Sequence, residues 1–272
     1  MGTAVLTAIL AVFLSAASAA AAPPRQLCLA CHPVHYGERG SCTGCHRGNP
    51  ATDRKNIAHQ QLIAGRYARF TLAEAAVVSE GKRLLDQYAC RRCHLIGSRG
   101  NRLAADLDQS AARKAPEELA TAILKPVQNM PDFHLADSQV DTLVNALLQA
   151  AAGRKGAAPA AGPQLVHFDR GGETGKDLFS RKCGPCHRAL TARLGALGRG
   201  GIGPNLSGLL SPYYPPTFRE GQAWTVHNLS IWLKSPRSVR SRAGMQPVEI
   251  TAAELGELVR ILSVESAVVP PP

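Results

Sequence analysis

The sequence predicts a mainly α protein with a loop-rich N-terminal segment and two small helical domains. Apolar residues recur at helical spacing in two stretches, 71–152 and 165–264. An Ala, Gly and Pro-rich stretch at 153–164 separates them and is typical of a linker. The segment 23–70 shows little apolar periodicity, and Pro, Gly and Arg are frequent in it. We therefore expect two helical units behind a segment of loops and short helices.

The first helical unit, 71–152, is expected to contain three helices. One spans 72–88 and leads into Cys90. A second spans 116–124, with Pro116 suited to its first turn. The third begins at Asp137 or Ser138 and runs to about residue 151. Its apolar face is formed by Val140, Leu143, Val144, Leu147 and Leu148.

The second helical unit, 165–264, repeats this plan. A helix over 173–182 leads into Cys183, and another over 224–233 ends before Pro236. Thr251 is placed to cap a third helix, which runs to about residue 263. The tail, 265–272, ends in three prolines and is expected to be disordered.

Residues 1–22 indicate a secretory signal peptide. They contain no charged side chain, and an apolar run is followed by small residues up to Ala22. The alternative is an uncleaved N-terminal anchor, but the apolar part is shorter than the roughly 20 residues of a spanning helix. We therefore expect an exported, periplasmic protein that is soluble after cleavage.

All eight cysteines form C-x-x-C pairs, and a histidine follows each pair. This C-x-x-C-H pattern is the attachment signature of c-type haem. The two thiols add across the vinyl groups of the porphyrin, and the imidazole binds the iron from below the ring. The sequence predicts four covalent haems. The attachment residues are Cys28 and Cys31, Cys42 and Cys45, Cys90 and Cys93, and Cys183 and Cys186, with His32, His46, His94 and His187 on the iron.

Two other uses of such cysteine pairs are known in proteins. The first two pairs could form a four-cysteine zinc site, and a single pair could be a redox dithiol. Neither explains a histidine at the same offset four times.

Two stretches resemble class I cytochromes c. In 165–264 the segment Gly203-Pro204-Asn205-Leu206 is similar to the family segment whose proline carbonyl supports the proximal histidine. Trp224, the helix before Pro236 and Met245 follow in the family's order, although Gln246 stands where proline is common. In 71–152 Asn129-Met130-Pro131 fits the family pattern, but the Gly-Pro-Asn-Leu segment is missing. Residues 23–70 resemble the bis-histidine dihaem modules of multihaem cytochromes.

The resemblance also indicates the sixth ligands of the irons. Apart from Met1, the chain contains only Met130 and Met245, one for each class I-like unit, with His134 and His227 as less favoured candidates. The first segment has two spare histidines, His35 and His59. In the resembling modules a histidine just after the first motif ligates the following haem. This assigns His35 to the second haem and His59 to the first, with the reverse pairing left open. His167 is expected at the surface.

Filled axial positions indicate electron transfer between respiratory partners rather than catalysis at iron, and no catalytic residues are expected. Two alternatives are a haem enzyme or an enzyme's cytochrome subunit with one labile ligand, and a fixed structural wire. The net charge of +11, without a nucleic-acid motif, favours an acidic redox protein or a membrane respiratory complex as partner. Arg237, Arg240 and Arg242, with Arg91 and Arg92 inside the third motif, are expected to form either a docking rim for such a partner or an ordinary solvated basic surface.

Overall fold

The computed structural model describes residues 26–127, 129–152 and 176–264. The predicted signal peptide, linker and tail, together with His167, lie outside these ranges. Helices occupy about 47% of the described residues, and the only strands among them form one short hairpin. The mainly α prediction is therefore confirmed. Within the described ranges, we find no helix with the length and apolar character needed to cross a membrane.

The N-terminal segment consists of short helical pieces. Two 3₁₀ turns, Leu27–Ala30 and Gly37–Arg39, precede helices α1, Cys42–His46, and α2, Lys55–Ala58. A longer 3₁₀ helix follows at Gly65–Thr71. No residue between 26 and 62 is buried, so these residues do not form a side-chain core of their own.

The first helical unit is built around one long helix. Its helices are α3, Ala76–Gln87, α4, Leu107–Arg113, α5, Pro116–Leu124, and α6, Asp137–Ala152, and a 3₁₀ turn at Cys90–Arg92 follows α3. Helix α6 packs against the other three, and the five apolar residues predicted on its inner face are all buried. Helices α3 and α6 approach so closely that a Cβ at Gly81 would lie only 2.7 Å from the Cβ of Ala146.

Helix α3 begins later than predicted. It starts at Ala76 rather than at residue 72, because Glu74 adopts a left-handed φ of 52° that interrupts the helical path. Helix α4 was not predicted. Its N-cap is Asp106, whose side chain accepts hydrogen bonds from the backbone N–H groups of Asp108 and Gln109.

The core of this unit extends back into the N-terminal segment. Ile63 and Tyr67 are buried in the same cluster as Leu84, Val144 and Leu148. Asn145, fully buried on α6, accepts from the N–H of Phe70 and donates to the carbonyl of Arg66, both at 2.9 Å. The end of the predicted 23–70 segment is thus held by the helical unit that follows it.

The second helical unit contains α7, Leu178–Lys182, α8, Val226–Lys234, α9, Pro236–Val239, and α10, Ala252–Leu262. An antiparallel hairpin joins β1, Ala189–Thr191, to β2, Gly195–Leu197, and a 3₁₀ turn lies at Arg219–Gly221. Helix α10 packs against α7 and β1. Its Leu258 shares a core with Phe179 and Leu229. The predicted Thr251 cap is confirmed, with a capping box to Glu254.

Two helix starts differ from prediction in this unit. Helix α7 begins at Leu178, because the Asp177 side chain caps it by accepting from the N–H of Ser180. Of the predicted residues before it, 173–175 lie outside the described ranges. Helix α8 begins at Val226 rather than at Trp224, because Thr225 is its N-cap.

Candidate haem sites

Each C-x-x-C-H motif forms one tight helical turn. In three motifs the N–H of the histidine donates to the carbonyl of the first cysteine, at 3.0 Å for His32, 3.1 Å for His94 and 2.9 Å for His187. The second motif, from Cys42 to Cys45 and His46, is helix α1 itself. One turn therefore holds both thiols and the imidazole of each motif close together.

The predicted attachment cysteines differ in their exposure. None of the eight forms a disulfide bond. Cys183 is buried, whereas Cys186, the second thiol of the same motif, is exposed, as is Cys31 in the first motif. The other five are half-buried, namely Cys28, Cys42, Cys45, Cys90 and Cys93. The two thiols of one motif therefore do not always share one environment, a difference that the identical spacing in the sequence does not predict.

A backbone carbonyl orients three of the four motif imidazoles. Nδ1 of His46, His94 and His187 lies 2.8 Å from the carbonyl oxygens of Ile63, Ala105 and Pro204, respectively. A carbonyl only accepts, so each Nδ1 must be the protonated donor. The lone pair of Nε2 is then available to a metal, which is how proteins prepare a ligating histidine.

The two class I-like units achieve this orientation with different residues. Pro204 belongs to the Gly-Pro-Asn-Leu segment, and a Cβ at Gly203 would overlap the His187 ring. In the first unit Ala105 takes the role of Pro204, although the Gly-Pro-Asn-Leu segment is missing there. Sequence reasoning missed Ala105. The available signal was Asp106-Leu107, which follows Ala105 as Asn205-Leu206 follows Pro204.

Burial changes the acidity of the groups in these motifs. It raises the pKa of Cys90 and of Cys183 to about 11, and it lowers the pKa of His94. A lowered thiol pKa is what favours a redox dithiol, and burial moves the pKa of Cys90 and of Cys183 in the opposite direction.

The N-terminal segment brings its four histidines together in two pairs. Nε2 of His35 lies 3.3 Å from Nε2 of His46, with the rings at 87°. The rings of His32 and His59 have centroids 6.0 Å apart. Two imidazoles on opposite sides of one metal place their nitrogens about 4 Å apart, since each bond is about 2 Å. The first pair would need only a small outward shift to fit, and the pairs are those that the resemblance assigned.

Met245 is held from one side by a tryptophan. Nε1 of Trp232 donates to the sulfur of Met245 at 3.0 Å, and Trp232 packs edge-on against Trp224. The sequence did not point to Trp232, because only the folded chain brings α8 to the loop before α10. Met130 is half-buried. The less favoured ligand candidates, His134 and His227, are both exposed.

The predicted basic rim divides into two groups. Arg237, Arg240 and Arg242 are all exposed in the stretch before Met245, and Arg240 lies over the Trp232 ring at 5.2 Å. Arg91 instead pairs with Asp86 at 2.6 Å, and Arg92 donates to the carbonyl of Asn205.

Among the described residues, no group of three or more His, Cys, Asp or Glu side chains is arranged to hold a metal ion. A haem iron does not require such a group, since the protein supplies at most two axial ligands.

Comparison with known proteins identifies one part of the chain. No solved structure matches it. Residues 76–147 match the family model described as "Cytochrome C oxidase, cbb3-type, subunit III". This stretch contains Cys90, Cys93, His94 and Met130, and the match implies covalently bound haem c and a role in electron transfer. Residues 76–147 are therefore similar to the class I c-type cytochrome domains of this family.

Proposed function

We propose that the whole chain is an exported tetrahaem c-type cytochrome that passes electrons between respiratory redox partners. The observation that carries this proposal is the repetition of one arrangement, a C-x-x-C-H motif in a single helical turn, at four places in the chain.

The family match reaches only the third motif. Haem attachment at the other three motifs stays a prediction. The cysteines predicted to attach these haems are Cys28 and Cys31, Cys42 and Cys45, and Cys183 and Cys186. These motifs are assigned haem by their likeness to the third. The exposed thiols, Cys31 and Cys186, would be directly accessible to the vinyl group of an incoming porphyrin.

The axial ligands are assigned from the two histidine ring pairs of the N-terminal segment and from the one methionine in each class I-like unit. His35 would complete the second haem and His59 the first, as the two ring pairs suggest. Met130 would complete the third haem and Met245 the fourth. Methionine ligation raises the reduction potential above that of a bis-histidine iron. Electrons would therefore run from the N-terminal pair toward the third and fourth haems.

The bound haems would supply the one-electron iron couple, and the chain's residues hold and tune them. The cysteines fix each ring covalently. The carbonyls of Ile63, Ala105 and Pro204 keep the imidazoles in the ligating tautomer. Trp232 positions the sulfur of Met245.

The haem count is tested by the mass and the alkaline pyridine spectrum of the purified mature protein. We expect four covalently added haems, and magnetic resonance should distinguish two bis-histidine irons from two histidine–methionine irons. Replacing both cysteines of one motif with alanine, for example Cys183 and Cys186, should remove one haem. A mass with fewer than four haems would refute the proposal.

The pairing in the N-terminal segment is tested in a chain whose Cys28 and Cys31 are replaced by alanine. Only the haem at Cys42 and Cys45 then remains in that segment. His35→Ala should open its iron to carbon monoxide, and the matched variant His59→Ala should not. The opposite result would reverse the pairing.

A second candidate is a cytochrome subunit of a larger respiratory enzyme. It is favoured by the family match, whose description names a subunit of an oxidase. A mobile carrier should be isolated at the size of one chain, whereas a subunit should co-purify with its complex from membranes. A carbon monoxide difference spectrum of the wild type separates both from a haem enzyme, because only an open iron binds the gas.

A further inference from the structure

Two asparagines connect the class I-like units by reciprocal hydrogen bonds. Nδ2 of Asn129 donates to the carbonyl of Ala189 at 3.1 Å, and Nδ2 of Asn205 donates to the carbonyl of Asn129 at 3.1 Å. We call this pair, Asn129 and Asn205, the asparagine clasp. Each side chain bonds to the backbone of the other unit, so the clasp fixes two loops against each other.

Further polar contacts surround the clasp. The carbonyl of Asn205 accepts from Arg92 at 3.3 Å and from the hydroxyl of Tyr214 at 3.2 Å. Nearby, the fully buried Asn101 donates to Ser211 at 2.8 Å. Directed hydrogen bonds of this kind, partly or fully buried, favour one relative position of the two surfaces.

The clasp lies directly beside the ligands of two haems. Asn129 precedes Met130 in the chain. On the other unit, Asn205 follows Pro204, whose carbonyl orients His187, and Ala189 follows His187 by two residues. The loop that presents Met130 is therefore attached to the backbone that supports the opposite haem.

We propose that Asn205 and Asn129 are positioning residues for the sixth ligand of the third haem. The inference rests on the assignment of Met130 as that ligand under the proposed function. A thioether is a weak ligand, and its bond to iron depends on how firmly the surrounding loop is held. The third haem thus owes its methionine ligand, and with it a high potential, to contacts made by the following unit.

Asparagine-to-aspartate exchange tests this with little change in shape. In Asn205→Asp the Oδ1 that accepts from the N–H and hydroxyl of Ser207, at 2.9 and 2.6 Å, is kept. Only the donor to Asn129 is lost. Asn129→Asp removes the donor to Ala189. Asn228→Asp is the matched control, since it loses a 2.8 Å bond to Ala223 within one unit and adds the same charge.

The readout is the weak long-wavelength band of methionine-bound ferric haem, measured in the full holoprotein. A Met245→His background removes the band of the fourth haem and leaves that of the third. In this background Asn205→Asp and Asn129→Asp should abolish or clearly weaken the band and lower the potential of that haem. Asn228→Asp should change neither.

The possible results separate the two claims. An unchanged band in both clasp variants would overturn the inference and leave Met130 assigned as a ligand. Absence of the band in the Met245→His background itself would refute the ligand assignment made under the proposed function. If Asn205→Asp does not retain haem, Asn129→Asp gives the decisive result.

Discussion

The guanidinium of Arg47 donates to the carbonyl of Ala111 at 2.8 Å and reaches that of Lys114 at 3.4 Å. Both carbonyls lie at the C-terminal end of α4, where helices leave such groups unpaired and favour a cation. Arg47 directly follows His46, and α4 begins two residues after Ala105, the carbonyl partner of His94. One short helix therefore connects the residue after His46 with the segment whose carbonyl orients His94.

Removing Arg47 should weaken the attachment of the N-terminal segment to the first helical unit. Hydrogen bonds that involve a charged group contribute about 1.5–3 kcal/mol. We expect Arg47→Ala to lower the free energy of unfolding by about 2 kcal/mol, measured by urea denaturation of the holoprotein. It should also speed proteolysis of the segment.

The control for this prediction is Arg39→Ala. Arg39 is exposed and pairs only at 3.8 Å with its neighbour Glu38, so its loss should cost less than about 0.5 kcal/mol. Equal stability of the two variants would show that the Arg47 contacts do not hold the segment.

Asn145 should be the most sensitive polar residue of the first core. Its side chain accepts a hydrogen bond from the N–H of Phe70 and donates to the carbonyls of Arg66 and Asp141, each at 2.9 Å. Asn145→Ala leaves the N–H of Phe70 and the carbonyl of Arg66 without this partner, and an unsatisfied buried group costs about 1–3 kcal/mol. We expect a loss of about 3 kcal/mol in the free energy of unfolding.

The matched variant is Asn56→Ala, at an exposed position on α2. In thermal and urea unfolding, its free energy of unfolding should lie within about 0.5 kcal/mol of the wild-type value. A similarly small effect of Asn145→Ala would contradict the assigned role of its hydrogen bonds.

Glu254 should make the second helical unit less stable in acid. Its carboxylate accepts from Nζ of Lys182 at 2.8 Å and from the N–H of Thr251 at 2.9 Å, and these bonds hold the pKa of Glu254 at about 2. A carboxyl group with a lowered pKa in the folded state stabilises the fold when it is ionised. The contribution is complete above the ordinary pKa of 4.5 and is lost as the pH falls toward 2.

Glu254→Gln should therefore reduce stability at pH 7 and show less further loss between about pH 4.5 and pH 2. Urea midpoints at several pH values measure this. Lys182→Met removes the other partner of this ion pair and should reduce the change in stability over the same pH range. A wild-type pH profile in both variants would exclude this contact as the source of acid sensitivity.

Trp232 should tune the fourth haem through its bond to Met245. If Met245 ligates the fourth haem as proposed, donation from Nε1 to the sulfur would withdraw electron density from the ligand and favour reduced iron. Trp232→Phe keeps most of the ring packing and removes the donor. We expect a lower potential for the fourth haem in a spectroelectrochemical titration, with the other three unchanged. Trp224→Phe is the control, because its Nε1 donates to Thr217 instead.

Elements with local signals could be predicted from the sequence. Helix α5 has Pro116 at its start, α6 has a regular apolar face, and α10 has the Thr251 cap, and all three were predicted to within a residue or two. The start of α3 and the hairpin could not be predicted. The first depends on the left-handed backbone of Glu74, and strands of three residues are too short to show alternation.

The candidate sites divide in the same way. The attachment cysteines and their histidines are adjacent in sequence, so the motif alone predicts them. It does not predict that Cys186 is exposed while Cys183 is buried, because exposure depends on the surrounding fold. Ala105 and Trp232 take part through one carbonyl and one indole N–H. Their positions depend on how distant segments fold together, and neither residue type carries a signal of its own.

The two hydrogen bonds between His46 and Ile63 have a consequence for the order in which the chain folds. The N–H of Ile63 donates to the carbonyl of His46 at 2.7 Å, while the carbonyl of Ile63 holds the imidazole. Ile63 is itself buried in one cluster with residues of helix α6, which lies much later in the chain. We therefore expect the imidazole of the second motif to reach its final orientation only once α6 has packed against the N-terminal segment. Until then, maturation enzymes would meet the thiols of Cys42 and Cys45 on a chain that is still open.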